Sequence, residues 1–167
     1  MTAASEFSRP IEVSRIPEGG TDIAIAATPA ECVALARRFS LLALDRLEAA
    51  LRLEWAAGPL LRLEATLSAE VVQECVVTLE PVRSRVEDRF ALHYGPRAAA
   101  SDVMLREDEE VLEPIVDGRI DLGEAVAQQL SLAIDPFPRA PGAAAPTAPG
   151  AGIASPFAAL AKWRKKG

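Results

Sequence analysis

The spacing of hydrophobic residues predicts three long strands in the middle of the chain. Every second residue is apolar over 47–55, and the alternation resumes over 61–69 after the turn sequence AAGP. A third alternating run covers 82–94. Strict alternation is typical of strands with one buried face. The first two runs therefore predict an antiparallel hairpin, and the third predicts a strand that continues the same sheet.

A first helix is predicted near 29–39, where the chain reads Thr28-Pro29-Ala30-Glu31. Thr28 can cap this helix, because its hydroxyl can accept a hydrogen bond from a free backbone N–H. Pro29 suits the first helical position, and Glu31 stands where a capping box requires it. The residues expected to face inward are Val33, Ala36 and Phe39.

A second helix is predicted near 121–134, after an Asp117-Gly118 turn. Asp121 and Glu124 have the spacing of a capping box. The apolar face that should pack on the sheet follows helical spacing. It consists of Leu122, Val126, Gln129, Leu130 and Ala133.

Shorter strands are predicted at 6–13 and 22–27, and a polar segment at 95–113. Together these elements predict an α+β fold. Its core would be a curved or barrel-like antiparallel β-sheet with two main helices and a flexible C-terminal tail. The folded domain is expected to cover 5–138.

The tail has two parts. Residues 139–154 form a Pro/Ala/Gly linker, which is too poor in large apolar residues to fold. Residues 155–167 predict a short basic amphipathic helix, with Ser155 as cap and Phe157, Leu160 and Trp163 on its apolar side. A helix this short is only marginally stable on its own.

The charge of −6 is unevenly distributed along the chain. Residues 135–167 carry +4, which leaves −10 for the rest. The charged residues of this tail are Arg139, Lys162, Arg164, Lys165 and Lys166, against Asp135. Cations neutralise phosphates, and an aromatic ring can stack on an unpaired base. The candidate RNA-binding residues are thus Lys162, Trp163, Arg164, Lys165 and Lys166; the alternative is a generic basic segment that aids solubility.

An acidic run at 106–113 has two interpretations. It is either a solvated loop or a docking surface for a basic partner. The candidate protein-binding residues in the second case are Glu107, Asp108, Glu109 and Glu110.

Candidate catalytic chemistry is sparse. Cys32 and Cys75 are the two cysteines and His93 is the one histidine, too few for the four ligands of a structural zinc site. Cys32 is expected to be a small buried apolar residue, and Cys75 to continue the buried face of the second long strand. Glu74 and Glu80 should oppose formation of a thiolate at Cys75. No nucleophile motif or phosphate loop occurs, so no catalytic residue, metal or cofactor is predicted.

The chain also lacks a secretory signal pattern and any apolar run of the roughly 20 residues that a membrane span needs. Two cysteines do not make a disulfide framework. A cytoplasmic protein is therefore expected.

Two motifs give the sequence a family resemblance. They are ECVVTLEPV at 74–82 and EPIVDGRIDLGEAVAQQLSLAIDPFPRAPG at 113–142, and SPFAALAKWRKK at 155–166 adds to them. In this order they resemble the YceD-like large ribosomal RNA subunit accumulation protein family, in its alphaproteobacterial form. The family-motif residues are Cys75, Thr78, Leu79, Glu80, Pro81, Gly118, Arg119, Ile120, Asp121 and Leu122.

The resemblance implies a bacterial, non-enzymatic ribosome-biogenesis factor that promotes 23S rRNA synthesis, processing or stability and large-subunit assembly. Its implied partners are precursor 23S rRNA or a large-subunit ribosomal protein, with no DNA and no membrane. Many relatives carry C-x-x-C where this chain has Cys75 and Thr78, and a second cysteine pair where it has Phe137-Pro138-Arg139, so no metal role is carried over. The alternative is a protein-interaction adaptor unrelated to ribosome assembly, with 155–166 docking in a protein groove.

Overall fold

A computed structural model describes residues 5–56, 58–96 and 112–143. They form seven strands, two α-helices and one short 3₁₀ turn in this part of the chain. The strands are β1 (Pro10–Glu12), β2 (Thr21–Ala26), β3 (Ala43–Trp55), β4 (Leu61–Glu74), β5 (Pro81–Gly95), β6 (Leu112–Pro114) and β7 (Arg119–Asp121). The helices are α1 (Pro29–Arg38) and α2 (Leu122–Ala133), and the 3₁₀ turn is Val13–Arg15.

Five strands form one strongly curled, half-barrel sheet in the order β2-β3-β4-β5-β6. The three pairings from β2 to β5 are antiparallel, whereas β6 runs parallel to β5. β1 and β7 form a separate two-stranded antiparallel ladder. The predicted α+β class with a curved sheet and two main helices is confirmed, with the parallel strand β6 as a correction.

The inner face of the sheet carries the odd-numbered residues of β3 and β4, as their alternation predicts. Leu53, Leu61, Leu63 and Leu67 are wholly buried. The pairing register shifts between Leu44 and Arg46. Such a bulge adds one residue to the strand and reverses the alternation, which explains why the even-numbered Leu44 is also buried.

Helix α1 begins with the predicted capping box. The backbone N–H of Glu31 donates to the Thr28 hydroxyl over 3.3 Å, and the N–H of Thr28 donates to the Glu31 carboxylate over 2.8 Å. The buried face of the helix is formed by Cys32, Leu35 and Ala36, so the prediction for Cys32 is confirmed. The inward placement of Val33 is wrong, because the helix is rotated towards Leu35 and leaves Val33 half exposed.

Helix α2 has the predicted cap at Asp121 but lacks the reciprocal half of the capping box. Asp121 accepts hydrogen bonds from the backbone N–H groups of Gly123 and Glu124. The Glu124 carboxylate instead faces Arg38 of α1, at 2.7 and 2.9 Å. Glu124 therefore joins the two helices, a role that local spacing cannot reveal.

Two boundaries differ from the sequence prediction. The first strand covers Pro10–Glu12 rather than 6–13, because the chain turns into the 3₁₀ segment at Val13. The polar segment 95–113 ends in β6, since residues 112–114 pair with the end of β5. The predicted turn at Asp117-Gly118 is confirmed, with φ of 50° and 70°.

Among the residues described, no helix is long and apolar enough to cross a membrane.

Candidate interaction site

The turn between β4 and β5 contains the first family motif. Its ends are tied by two backbone hydrogen bonds, from Leu79 N–H to the Cys75 carbonyl at 3.0 Å and from Cys75 N–H to the Glu80 carbonyl at 2.9 Å. Leu79 has a φ of 62°, in the left-handed region. This conformation costs a residue with a Cβ about 1–2 kcal/mol, so the turn holds a strained residue at its tip.

The Cys75 sulfur lies inside this turn and accepts hydrogen bonds from the backbone. The N–H groups of Val77 and Thr78 lie 3.4 Å from Sγ, and that of Ala140 lies 3.2 Å away. The Thr78 hydroxyl and the N–H groups of Ala140 and Thr78 lower the pKa of Cys75 from 9.0 to about 6. Donors that converge on one atom stabilise its anionic form.

The expectation that the Cys75 thiolate is disfavoured, on account of Glu74 and Glu80, is therefore wrong for the net pKa. The hydrogen bonds from Thr78, Ala140 and Val77 lower this pKa more than burial raises it. Cys75 exposes none of its surface, as its place in the odd-numbered set that continues from β4 predicted. At Cys32, by contrast, burial is the largest effect and raises the thiol pKa.

The Cys75 turn is fastened to the segment after α2. Val76 N–H donates to the Pro138 carbonyl at 2.9 Å, and Gln73 Nε2 donates to the Asp135 carbonyl at 2.8 Å. In the family that the sequence resembles, many relatives carry cysteine pairs in these two segments. In this chain they meet through backbone and amide hydrogen bonds.

No three His, Cys, Asp or Glu side chains are grouped as metal ligands anywhere in 5–56, 58–96 or 112–143. That this chain uses neither metal nor cofactor stays a prediction.

Large apolar side chains are exposed where the Cys75 turn meets the segment after α2. Val76 is 48% exposed, and Leu79 and Phe137 are each 68% exposed. We call these three residues the turn-end surface. Exposed apolar residues that occur together, rather than singly, mark interaction sites in soluble proteins. The turn-end surface is thus the best candidate for binding a partner within the described chain.

The beginning of the second family motif, residues 118–122, builds the fold. Gly118 takes a positive φ in the turn before β7, and Ile120 is buried. The Asp121 carboxylate caps α2 and also accepts from Arg9 N–H at 2.8 Å and from the Ser8 hydroxyl at 2.6 Å. Arg119 forms an ion pair with Glu12 at 3.1 Å. These contacts fix the N-terminal segment against α2.

Close packing against the N-terminal segment requires a glycine at Gly123, the next residue of this motif. A Cβ at this position would lie 2.4 Å from the Phe7 carbonyl oxygen. Glycine is therefore required for the N-terminal segment to cross the start of α2 at this distance.

The structure brings the first motif against the end of the second motif, but not against the beginning of the second motif. Residues 118–122 lie at the beginning of α2, whereas the Cys75 turn contacts residues 138 and 140 beyond its end. The 12 residues of the helix separate them by about 18 Å along its axis. Residues 118–122 thus serve the fold, whereas the Cys75 turn and the end of the second motif form the surface.

A cleft of about 330 Å³ lies beside the second motif. Its walls include Tyr94, Glu113, Arg119 and Gln129. Tyr94 is buried, and burial raises the pKa of its phenol. The acidic residues Asp121 and Glu124 also line this cleft, but their carboxylates are occupied by the cap of α2 and by Arg38. The cleft is therefore a weaker candidate for binding than the turn-end surface.

Other sequence-derived candidates lie elsewhere. His93 is half-buried on the outer face of β5, opposite Arg62. The acidic residues Glu107, Asp108, Glu109 and Glu110 lie outside the described residues, as do Lys162, Trp163, Arg164, Lys165 and Lys166. The same holds for most of the predicted linker and for the predicted helix at 155–167.

Comparison with known proteins gives one match. The model of the family described as large ribosomal RNA subunit accumulation protein YceD matches residues 63–162. The chain belongs to the YceD family. The resemblance found in the sequence is therefore confirmed, and the matched region includes both motifs and the turn-end surface. Neither the curated proteins nor the solved structures gave a significant match.

Sequence reasoning did not predict the turn-end surface; of its three residues only Leu79 was singled out, as a family-motif residue. Val76 and Phe137 are apolar residues in predicted turns, and this is the signal that could have identified them. Their proximity could not be inferred, because they are 61 positions apart and only the fold joins Val76 to Pro138.

Proposed function

We propose that this YceD family protein is a cytoplasmic, non-enzymatic ribosome-biogenesis factor that promotes 23S rRNA synthesis, processing or stability and assembly of the large subunit. The observation that supports this proposal is the family match over residues 63–162. The family description associates its members with accumulation of large-subunit ribosomal RNA.

The partner we propose at the turn-end surface is a basic large-subunit ribosomal protein. Three apolar side chains are exposed there, and the exposed acidic residues Glu74, Glu80 and Asp135 lie in or directly beside the same turns. Apolar contacts with a charged rim suit a protein interface, whereas acidic groups repel the phosphates of RNA. Contact with precursor 23S rRNA is proposed instead for the basic residues 162–166.

Deletion of the gene tests the proposed function. We expect less 23S rRNA and a smaller large-subunit peak on sucrose gradients, restored by the wild-type gene. Normal rRNA levels and normal subunit profiles in the deletion strain would refute the ribosomal role and favour an adaptor outside ribosome assembly.

Complementation with surface variants tests the proposed contact. A chain with both Leu79→Ser and Phe137→Ser should fail to restore the subunit profile although it folds. Val116→Ser is the matched control, since Val116 is 60% exposed but lies beside the Asp117-Gly118 turn. If the double variant complements as well as this control, the partner binds elsewhere while the family function stands.

A further inference from the structure

The turn-end surface lies where the described chain leaves the domain. Ala140 N–H contacts the Cys75 sulfur at 3.2 Å, and Ala143 N–H donates to the Ala140 carbonyl at 3.0 Å. The chain therefore passes directly beside Val76 and Phe137 before the remaining 24 residues, 144–167, begin. Whatever follows Ala143 starts within a few residues of an exposed apolar surface.

Other exposed apolar residues extend this end of the sheet. Leu42, 53% exposed, donates its N–H to the Val72 carbonyl near the end of β4. Leu132, 77% exposed, lies in the last turn of α2, just before Asp135 contacts Gln73. The apolar area at this end is thus larger than the three residues of the turn-end surface.

The charge around the turn-end surface is acidic. Glu74, Glu80 and Asp135 are exposed and form no ion pair with another described residue. Arg139 is a cation in the same turns. A ligand that suits this surface should therefore carry apolar side chains together with an excess of positive charge.

Residues 155–166 of the same chain have this chemistry. The segment SPFAALAKWRKK contains Phe157, Leu160 and Trp163 at spacings of three residues. It also contains four basic residues, at 162 and 164–166, and no acidic residue. The 11 residues from 144 to 154 connect it to the domain, and a chain of that length can span up to about 36 Å. That distance allows the segment to return to the surface from which the chain departs.

We propose that residues 155–166 dock on the turn-end surface of their own chain, with the three aromatic and leucine side chains on the apolar residues and the cations towards Glu74, Glu80 and Asp135. Tethering by a short linker gives the segment a millimolar effective concentration. Even a weak contact would then be largely occupied. The docked segment covers the apolar surface in the free protein, and this proposal does not depend on the proposed function.

Paramagnetic broadening in the full-length protein tests the docking. A nitroxide is attached to an Ala161→Cys variant labelled with ¹⁵N; the native thiols of Cys32 and Cys75 are buried. We expect the backbone amide signals of Val76, Leu79 and Phe137 to lose most of their intensity. The amide signals of Thr21 and Tyr94, at the opposite end of the sheet, should keep theirs. Wild-type protein treated with the same reagent controls for labelling of the native thiols.

Matched variants make the result specific. Leu79→Ser combined with Phe137→Ser should restore the lost intensities, whereas Val116→Ser should leave the broadening unchanged. Uniform weak broadening, or broadening that survives the double variant, would overturn the proposal. A mixture of ¹⁵N-labelled protein without nitroxide and unlabelled protein with nitroxide tests for docking on a second copy. Broadening in that mixture as strong as in the single-chain experiment would also overturn it.

Discussion

Replacing Glu124 by glutamine tests the connection between the two helices. The Glu124 carboxylate accepts two hydrogen bonds from Arg38, at 2.7 and 2.9 Å, and one from the Ser5 hydroxyl at 2.7 Å. Glutamine keeps the size of the side chain but removes its charge and one acceptor oxygen. The variant therefore weakens the bidentate contact without creating a cavity.

The expected loss follows from the pKa of Glu124. Arg38, with smaller contributions from Ser5 and Gln128, lowers this pKa from 4.5 to about 2. A shift of this size corresponds to roughly 3 kcal/mol. Because the side chain is 25% exposed, solvent screening reduces the effect, and we expect the free energy of unfolding to fall by about 2 kcal/mol.

The same contact predicts a pH dependence with a defined sign. The folded protein holds the Glu124 carboxylate ionised at lower pH than the unfolded chain does. Its contribution to stability is therefore complete above pH 4.5 and is lost as the pH falls through about 2. The wild-type protein should lose more stability than Glu124→Gln between these values.

Urea unfolding followed by far-ultraviolet circular dichroism measures both effects. Glu54→Gln is the matched control, since Glu54 pairs with Arg52 on the exposed face of β3 and should matter much less. In the Glu124→Gln background, a further Arg38→Gln change should cost less than in the wild type. Equal stabilities of Glu124→Gln and Glu54→Gln, or additive effects of the two changes at 38 and 124, would refute the reasoning.

Three further predictions concern the two family motifs. Gly123→Ala places a methyl group 2.4 Å from a backbone carbonyl and should lower the free energy of unfolding by about 1–3 kcal/mol. Gly19→Ala is the control, because open space surrounds Gly19. Equal urea midpoints for the two variants would contradict the prediction. The ultraviolet thiolate absorbance of Cys75 should titrate near pH 6, vanish in Cys75→Ser and persist in Cys32→Ser. The stabilisation that this thiolate provides should be complete above pH 9.0 and disappear as the pH falls through about 6, so a pH-independent difference between wild type and Cys75→Ser would argue against it. Leu79→Gly should raise the free energy of unfolding by about 0.5 kcal/mol, because relief of the left-handed backbone exceeds the added chain entropy; a loss of stability would show that Leu79 is held by contacts rather than strained.

Local periodicity was sufficient to predict the elements that carry the core. The alternation over 47–55 and 61–69 predicted the buried face of two long strands, since side chains of a strand point to opposite faces in turn. Thr28 and Asp121 predicted the beginnings of both helices, because capping depends on residues within one helical turn. The two motifs also predicted the family.

The tertiary structure decided what depends on contacts between distant residues. It assigned Glu124 to Arg38, 86 positions away, instead of to its own helix cap. It brought Ala140 to the sulfur of Cys75, where its N–H joins the Thr78 hydroxyl and other backbone donors in lowering the thiol pKa. It also placed Phe137 beside Val76 and so created the turn-end surface. Hydrogen bonds and packing act over a few ångströms in space, and the sequence alone does not say which distant residues meet at that range.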